Sequence, residues 1–226
     1  MAKVKFGALM TDARGKLGGH VFSKNRSGSY LRTKVTPVNP QTAYQSASRA
    51  LFATISSQWS GLTQAVRDAF NGAVQDWAQT DIFGDLKNPS GKNLFQRLNN
   101  QAQSAGLAAV VTLPAKLELP DAVVTAIPIG IAATTLAATG ADTSATTQVV
   151  LFATAPVSDG TKFVKNRLRQ IYAAAGNAYS ATDAYAAYVA KFGAITLGDN
   201  IFVGVKYVLA SGQASPLQTL KATISA

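Results

Sequence analysis

The chain has 226 residues, of which 47% are apolar and 14% charged, so it is long and apolar enough to fold as one medium domain or two small ones. It has no cysteine, which excludes disulfides and thiolate chemistry. With one histidine (His20) and one glutamate (Glu118), the sequence has no clustered zinc ligands and no catalytic triad, so we expect neither enzymatic activity nor a cofactor. The net charge of +10 lies mainly in residues 1–50, whose nine basic residues and one acidic residue favour a phosphate backbone or a negative protein surface as partner.

Residues 1–38 are expected to form an extended basic arm. Five glycines interrupt any helix there, and short apolar pairs alternate with basic residues, as in a strand or hairpin that lies on another surface. The segment 15–19 is not a Walker phosphate-binding loop, because Leu17 follows the lysine where such a loop has serine or threonine. The candidate partner-binding residues are basic and large apolar side chains of this arm: Lys16, Val21, Phe22, Arg26, Tyr30, Arg32 and Lys34.

Residues 39–107 are expected to form a small helical unit. Asn39-Pro40 suits the start of a first helix, Thr63 that of a second, and Ser90 that of a third helix, which ends at Gly106. The aromatic residues of these helices recur at helical spacing among other apolar residues. We therefore interpret them as core, and not as stacking platforms for bases: Trp59, Phe70, Trp77 and Phe95.

Residues 108–226 are expected to form a β-sandwich domain with a helical insertion, which makes the fold class α+β. Residues 162–175 fit either a helix or two short strands, and residues 184–192 fit a helix capped by Thr182-Asp183. The uncharged stretch 122–141 is interpreted as two strands and a turn, not as a membrane span, because it is rich in threonine and contains proline and glycine. Strand-like runs occur at 110–113, 117–119, 122–127, 131–137, 148–154, 201–209 and 217–224, with a hairpin-like turn at 211–212.

A longer pattern covers residues 15–70, about a quarter of the chain. Its fixed positions are Gly15-Lys16-x-Gly18-Gly19-x-Val21, Gly28-x-Tyr30-x-Arg32, Pro37-x-Asn39-Pro40-x-Thr42-x-x-Gln45-x-x-x-Arg49-x-x-Phe52, Trp59, Leu62-Thr63 and Arg67-x-x-Phe70. The pattern resembles a family of small virion structural proteins of tailed bacteriophages. The C-terminal part looks like an immunoglobulin or fibronectin-type sandwich, an architecture common on virion surfaces.

The resemblance implies a non-enzymatic role in the virion, which is assembled in the bacterial host cytoplasm. The chain would be a repeated subunit on the capsid or at the head-to-tail neck, serving as decoration, ring or connector. The implied partners are other virion proteins (capsid, portal or tail subunits) and further copies of the chain, with no membrane. The alternative is a nucleic-acid-binding protein whose basic arm lies along phosphates. Its binding would weaken steeply as the salt concentration rises, whereas assembly with other virion proteins would depend on salt much less.

Overall fold

A computed structural model of the chain describes residues 2–81, 83–117, 147–175, 184–196 and 198–223, and the backbone of 124–126, 129–130, 135–136 and 139–140. These residues combine α-helices with antiparallel sheets, so the predicted α+β class is confirmed. The chain divides into two compact units. The first unit comprises Met1–Ala50 and Ala78–Lys87, and the second unit comprises Leu51–Trp77 and Asn88–Ala226.

The elements follow one another along the chain with helices concentrated in the first half and long strands in the second. In chain order they are β1 (Ala2–Lys3), β2 (Gly15–Leu17), β3 (His20–Asn25), β4 (Gly28–Thr33), α1 (Ala43–Gly61), α2 (Gln64–Gly72), β5 (Gln79–Thr80), β6 (Leu86–Lys87), α3 (Gly91–Ser104), β7 (Val124–Ala126), β8 (Ile129–Gly130), β9 (Thr135–Leu136), β10 (Thr139–Gly140), β11 (Thr147–Ala153), β12 (Arg169–Ala175), α4 (Tyr185–Phe192), β13 (Asn200–Leu209) and β14 (Gln218–Thr223).

The first unit contains a four-stranded antiparallel sheet, in the order β1-β4-β3-β2, and the β5-β6 hairpin. A two-residue turn, Arg26-Ser27, joins β3 to β4. Gly28 follows it with a φ of +105°, which glycine adopts without strain, and Asn25 Oδ1 accepts a hydrogen bond from the Ser27 N–H at 2.9 Å. The segment expected to be an extended arm is thus a folded sheet, because strand pairing satisfies backbone groups that an isolated arm leaves to solvent.

Helix α1 begins at Ala43 and not at the predicted Asn39-Pro40. Gln41 has a φ of +49°, a left-handed conformation through which a right-handed helix does not continue, so the preceding residues stay outside the helix. Thr42 caps the helix instead. Its Oγ1 accepts a hydrogen bond from the N–H of Gln45 at 3.3 Å, and its carbonyl accepts one from Ser46 at 2.9 Å.

The predicted start of α2 and both predicted ends of α3 are confirmed, whereas α2 ends at Gly72, so Trp77 lies in the turn that follows and not on the helix as predicted. Thr63 occupies the N-cap position of α2, although its side chain makes no capping hydrogen bond. Ser90 Oγ caps α3 by accepting a hydrogen bond from the N–H three residues further on, at 3.2 Å. At the other end Gly106 has a φ of +81°, and the Leu107 N–H donates to the Ala102 carbonyl at 2.9 Å, which is the Schellman pattern that ends a helix.

The four aromatic residues of this region form a core, as predicted, although Trp77 lies outside the helices. Phe70, Phe95 and Ile55 are fully buried, and Trp77 is buried beside them. Trp59 is partly buried and packs on both phenylalanines, with ring centroids 6.0 Å from Phe70 and 5.4 Å from Phe95. Their tilted and edge-to-face geometry is the one that aromatic quadrupoles favour in protein cores.

A four-stranded antiparallel sheet in the order β12-β11-β13-β14 carries the other main core of the second unit. Tyr188 of α4 is fully buried against this sheet and donates its hydroxyl hydrogen bond to the Thr154 carbonyl at 3.0 Å. Alternating residues of β11 and β13 supply the apolar face of this core: Val149, Leu151, Ala153, Ile201, Val203, Val205 and Tyr207.

The predicted strands at 148–154, 201–209 and 217–224 are confirmed within one or two residues, the last over Gln218–Thr223. The segment 162–175 ends in β12, which favours the strand alternative, and the helix at 184–192 is α4, whose predicted cap lies outside the described residues. Predicted strands at 122–127 and 131–137 fall partly outside the described residues and partly on β7 and β9. The two-sheet immunoglobulin-like sandwich stays a prediction.

Residues 110–113 do not form the predicted strand. The buried side chain of Asn99 in α3 hydrogen-bonds both backbone groups of Val110. Its amide oxygen accepts a hydrogen bond from the Val110 N–H at 2.8 Å, and its amide nitrogen donates one to the Val110 carbonyl at 3.0 Å. Both backbone groups that a neighbouring strand would need are therefore already satisfied by one side chain. The described part of 117–119, residue 117, is not in a strand either.

Candidate interaction surface of the N-terminal sheet

Most of the positive charge of the protein lies in the first unit. Its segments hold ten basic and three acidic residues, a net charge of +7, whereas the much longer second unit carries the remaining +3. No acidic residue occurs between Asp12 and Asp68, so strands β2, β3 and β4 carry basic residues without neutralising carboxylates of their own. An excess of one sign on a small unit attracts an oppositely charged partner.

Strand register brings four of the seven predicted partner-binding residues onto one face of the sheet. Lys16 of β2 pairs with Val21 of β3, and Val21 pairs with Arg32 of β4, so the three side chains form a row across three strands. Tyr30 lies on the same face, two residues from Arg32. We call Lys16, Val21, Tyr30 and Arg32 the basic face.

The other three predicted residues lie elsewhere. Phe22 pairs with Leu31 and points to the opposite face of the sheet. Arg26 is in the exposed turn between β3 and β4. Lys34 follows β4, and its backbone N–H donates to the Gly19 carbonyl at 2.8 Å, which extends the pairing of the hairpin by one step.

Lys16 and Arg32 are both exposed, and neither makes an ion pair or a side-chain hydrogen bond with the residues that the structure describes. Val21 and Tyr30 are half-buried between them. The basic face thus presents two cationic side chains that have no ion-pair partner among the described residues, on either side of a half-buried apolar centre. That is the composition of an interaction surface with an apolar middle and a charged rim.

None of the described apolar residues of the first unit is buried. Large apolar side chains stay in solvent on the sheet and the hairpin, with Leu17 68% and Leu86 72% exposed. Every buried apolar residue of the described chain, and all three core clusters, belong to the second unit. A sheet of short strands without a buried face gains little stability from its own packing.

One ion pair ties the start of the chain to the β5-β6 hairpin. Lys3 Nζ lies 3.0 Å from Asp81 Oδ2, and the Asp81 side chain is only 5% exposed. Asp81 Oδ1 also accepts hydrogen bonds from the backbone N–H groups of Phe83 and Asp85, at 2.8 and 3.2 Å. Burial alone would raise the pKa of Asp81, but the hydrogen bonds from Lys3 and the two N–H groups outweigh it and bring the pKa to about 2.

A second pair strengthens the same connection. Lys5 Nζ lies 2.8 Å from Asp85 Oδ2 and 5.4 Å from the centroid of the Phe83 ring. The hydrogen bond to Asp85 is the main cause that raises the pKa of Lys5 above its usual value. The sequence analysis missed this connection, and the one signal of it is that two of the eleven acidic residues fall within five positions, 81–85.

The described residues offer no metal site, since no three His, Cys, Asp or Glu side chains among them are grouped to hold an ion. His20 is exposed in β3 and belongs to no such group of three among these residues. In the described part of the chain, no helix combines the length and apolar character needed to cross a membrane.

No protein-family model, curated protein or solved structure matches this chain.

Proposed function

We propose that this chain is a non-enzymatic structural subunit of a tailed-bacteriophage virion, present in repeated copies and attached to the capsid or the head-to-tail neck through its N-terminal unit. One observation carries the proposal. The first unit carries a basic sheet and has no buried apolar residue among its described residues, while all three core clusters lie in the second unit. The phage assignment rests on the resemblance of residues 15–70.

Attachment through a preformed sheet is favoured over attachment through an unfolded arm. Ordering an extended segment costs about 1–2 kcal/mol per residue in backbone entropy, and a sheet that is already paired avoids most of that cost on binding. Burying the exposed parts of Val21 and Tyr30 contributes about 25 cal/mol per Å² of apolar surface. Covering this face therefore supplies the burial that the first unit lacks by itself.

The partner that fits the basic face is an acidic protein surface. Lys16 and Arg32 offer two uncommitted cations, and a carboxylate aligned with Arg32 can accept two parallel hydrogen bonds from its guanidinium. Capsid, portal or tail subunits with an acidic patch meet this requirement. The low charge of the second unit favours close packing of many copies, because like charges then repel one another little.

Nucleic-acid binding is the second candidate, and the same basic face favours it, since Lys16 and Arg32 stand on one face without a carboxylate among its four residues. The two candidate functions differ in how strongly the binding affinity depends on salt concentration. Phosphate binding weakens with a logarithmic slope of about −0.9 per phosphate neutralised on duplex DNA, whereas a protein interface with an apolar centre changes much less.

The experiment compares variants for incorporation into virions. Nuclease-treated particles are purified from cells that produce the phage encoding this chain, and the copy number of the chain is measured by quantitative mass spectrometry. Arg32→Glu reverses a charge of the basic face, and Lys92→Glu makes a comparable reversal at an exposed position of α3 as the matched control. We expect near-complete loss for Arg32→Glu and none for Lys92→Glu. Equal incorporation of both, or a wild-type chain missing from the virions, would refute the proposal.

A further inference from the structure

A cleft of about 160 Å³ lies within the first unit. Three segments line it: residues 3–5 at the end of β1, the turn region of β3 and β4, and the β5-β6 hairpin. Its ionisable lining consists of four lysines and two aspartates: Lys3, Lys5, Lys24, Lys87, Asp81 and Asp85. The positive charge therefore exceeds the negative charge inside one small cleft.

Two of the four lysines are already neutralised. Lys3 pairs with Asp81 and Lys5 pairs with Asp85. Lys24 and Lys87 make no ion pair and no side-chain hydrogen bond with the residues that the structure describes. Two ammonium groups of one cleft are thus left without a counter-charge.

The rest of the lining is mixed in polarity. Ser27 and Ser29 add hydroxyl groups, which can donate a hydrogen bond to an oxyanion. Val4 and Phe83 add apolar surface, and the Phe83 side chain is 44% exposed. An oxyanion attached to an apolar stem matches this lining better than a fully hydrated ion does.

We propose that this cleft binds an aspartate or glutamate side chain of a partner protein, which enters from an acidic and apolar segment and places its carboxylate between Lys24 and Lys87. The proposal rests on the proposed function, because it names the recognition element on the partner to which the subunit attaches. The Lys24 and Lys87 ammonium groups donate charge-assisted hydrogen bonds to the carboxylate oxygens. The apolar residues of the same segment pack on Val4 and Phe83 in the lining.

A carboxylate fits better than a phosphate backbone for two reasons. Lys3 and Lys5 are already paired with Asp81 and Asp85, so the two unpaired cations, Lys24 and Lys87, can bind one carboxylate but not the series of phosphates along a strand. The cleft also has the size of one side chain, whereas a nucleic-acid strand is bound along a basic groove that follows several nucleotides.

The test uses the full-length protein and three probes. The first is the blocked tripeptide acetyl-Phe-Asp-Leu-amide, the second is the same peptide with asparagine in place of aspartate, and the third is a ten-nucleotide thymidine strand. Binding is followed by NMR, with the side-chain signals of the lysines observed during titration. We expect the aspartate peptide to shift the signals of Lys24 and Lys87, and the asparagine peptide to bind at least tenfold more weakly.

Variants assign the effect to the cleft. Lys24→Gln combined with Lys87→Gln should weaken the aspartate peptide at least tenfold, while Lys92→Gln on α3 leaves it unchanged. Because neither cleft lysine has a partner among the described residues, the double variant keeps the folding of the sheet, which its amide spectrum verifies. Equal binding of both peptides, no peptide binding at all, or a double variant that loses only the thymidine strand would each overturn the proposal. These readouts need no particle, so their failure is distinct from a failure of incorporation into virions.

Discussion

Lys3 donates a hydrogen bond to Asp81 across 78 positions of the sequence, and this contact links the N-terminal sheet to the β5-β6 hairpin of the same unit. The hairpin lies between α2 and α3 in the chain, yet its turn is fixed by a side chain of β1. The Asp81 carboxylate has two roles, because it binds Lys3 of β1 and also accepts hydrogen bonds from two backbone N–H groups of its own turn. Losing this carboxylate should therefore loosen the turn and the start of the sheet together.

We predict that the Lys3–Asp81 contact is lost at acid pH. The pKa of Asp81 is about 2 in the folded protein and 3.8 for an unperturbed aspartate, so the ionised form favours the folded state. Its stabilising contribution is complete above about pH 4 and disappears as the pH falls towards 2. NMR signals of β1, β5 and β6 should change within this window.

The substitution Asp81→Asn should remove this pH-dependent change of the NMR signals. Strand β1 should then be disordered already at neutral pH, and its signals should show this. Asp76→Asn is the control, because Asp76 is exposed and makes no ion pair with the described residues. A β1 spectrum of Asp81→Asn that is unchanged at neutral pH would show that the contact does not hold the sheet.

Gly212 should tolerate no side chain. It follows β13 with a φ of +75°, and a Cβ there would overlap the backbone carbonyl of Leu98 in α3. We predict that Gly212→Ala lowers the free energy of unfolding by at least about 2 kcal/mol, since backbone and not a flexible side chain must move. Gly160→Ala is the control, because a Cβ added there meets no atom within 4 Å beyond its chain neighbours. Its free energy of unfolding, measured with denaturant, should lie within about 0.5 kcal/mol of the wild-type value.

Phe95→Ala should cost about 3–5 kcal/mol of stability, the usual cost of emptying a buried aromatic position. Phe95 is fully buried and contacts the rings of both Trp59 and Phe70. Phe52→Ala on α1 is the matched control, because that ring is 56% exposed. Chemical denaturation of both variants gives the comparison, and equal losses would mean that the aromatic cluster is not a core.

Asn99→Leu should destabilise the protein although it adds apolar volume to a buried site. The change removes the partner of the Val110 N–H and carbonyl, and each buried group left unsatisfied costs about 1–3 kcal/mol. Gln101→Leu on the same helix is the control, because it leaves that pair of hydrogen bonds intact. Thermal unfolding of the two variants distinguishes them, and a more stable Asn99→Leu protein would contradict the role assigned to this side chain.

The sequence predicted the features that neighbouring residues determine. Ser90 and Gly106 delimit α3 by hydrogen bonds that span only a few positions, and the long strands follow from nearly continuous apolar runs. The start of α1 was missed because the left-handed φ of Gln41 is not encoded by a glycine or an asparagine.

Features that depend on distant residues could not be predicted in this way. The strand expected at 110–113 was wrong because Asn99, eleven positions earlier, takes its backbone hydrogen bonds. The basic face was predicted in its residues but not in its geometry, since only the strand register separates Val21 from Phe22. The cleft needed Asp81 and Asp85 beside Lys3 and Lys5, and no local pattern indicates such a pairing.

Amide hydrogen exchange of residues 15–33, measured in the free chain and in purified particles, tests the central claim most directly. With no buried apolar residue among the described residues of the first unit, these amides should exchange rapidly in the free chain compared with those of β11 and β13. In the particle we predict at least tenfold slower exchange for residues 15–33, and little change for the core strands. Exchange at residues 15–33 that is equally fast in the free chain and in the particle would contradict attachment through the N-terminal sheet.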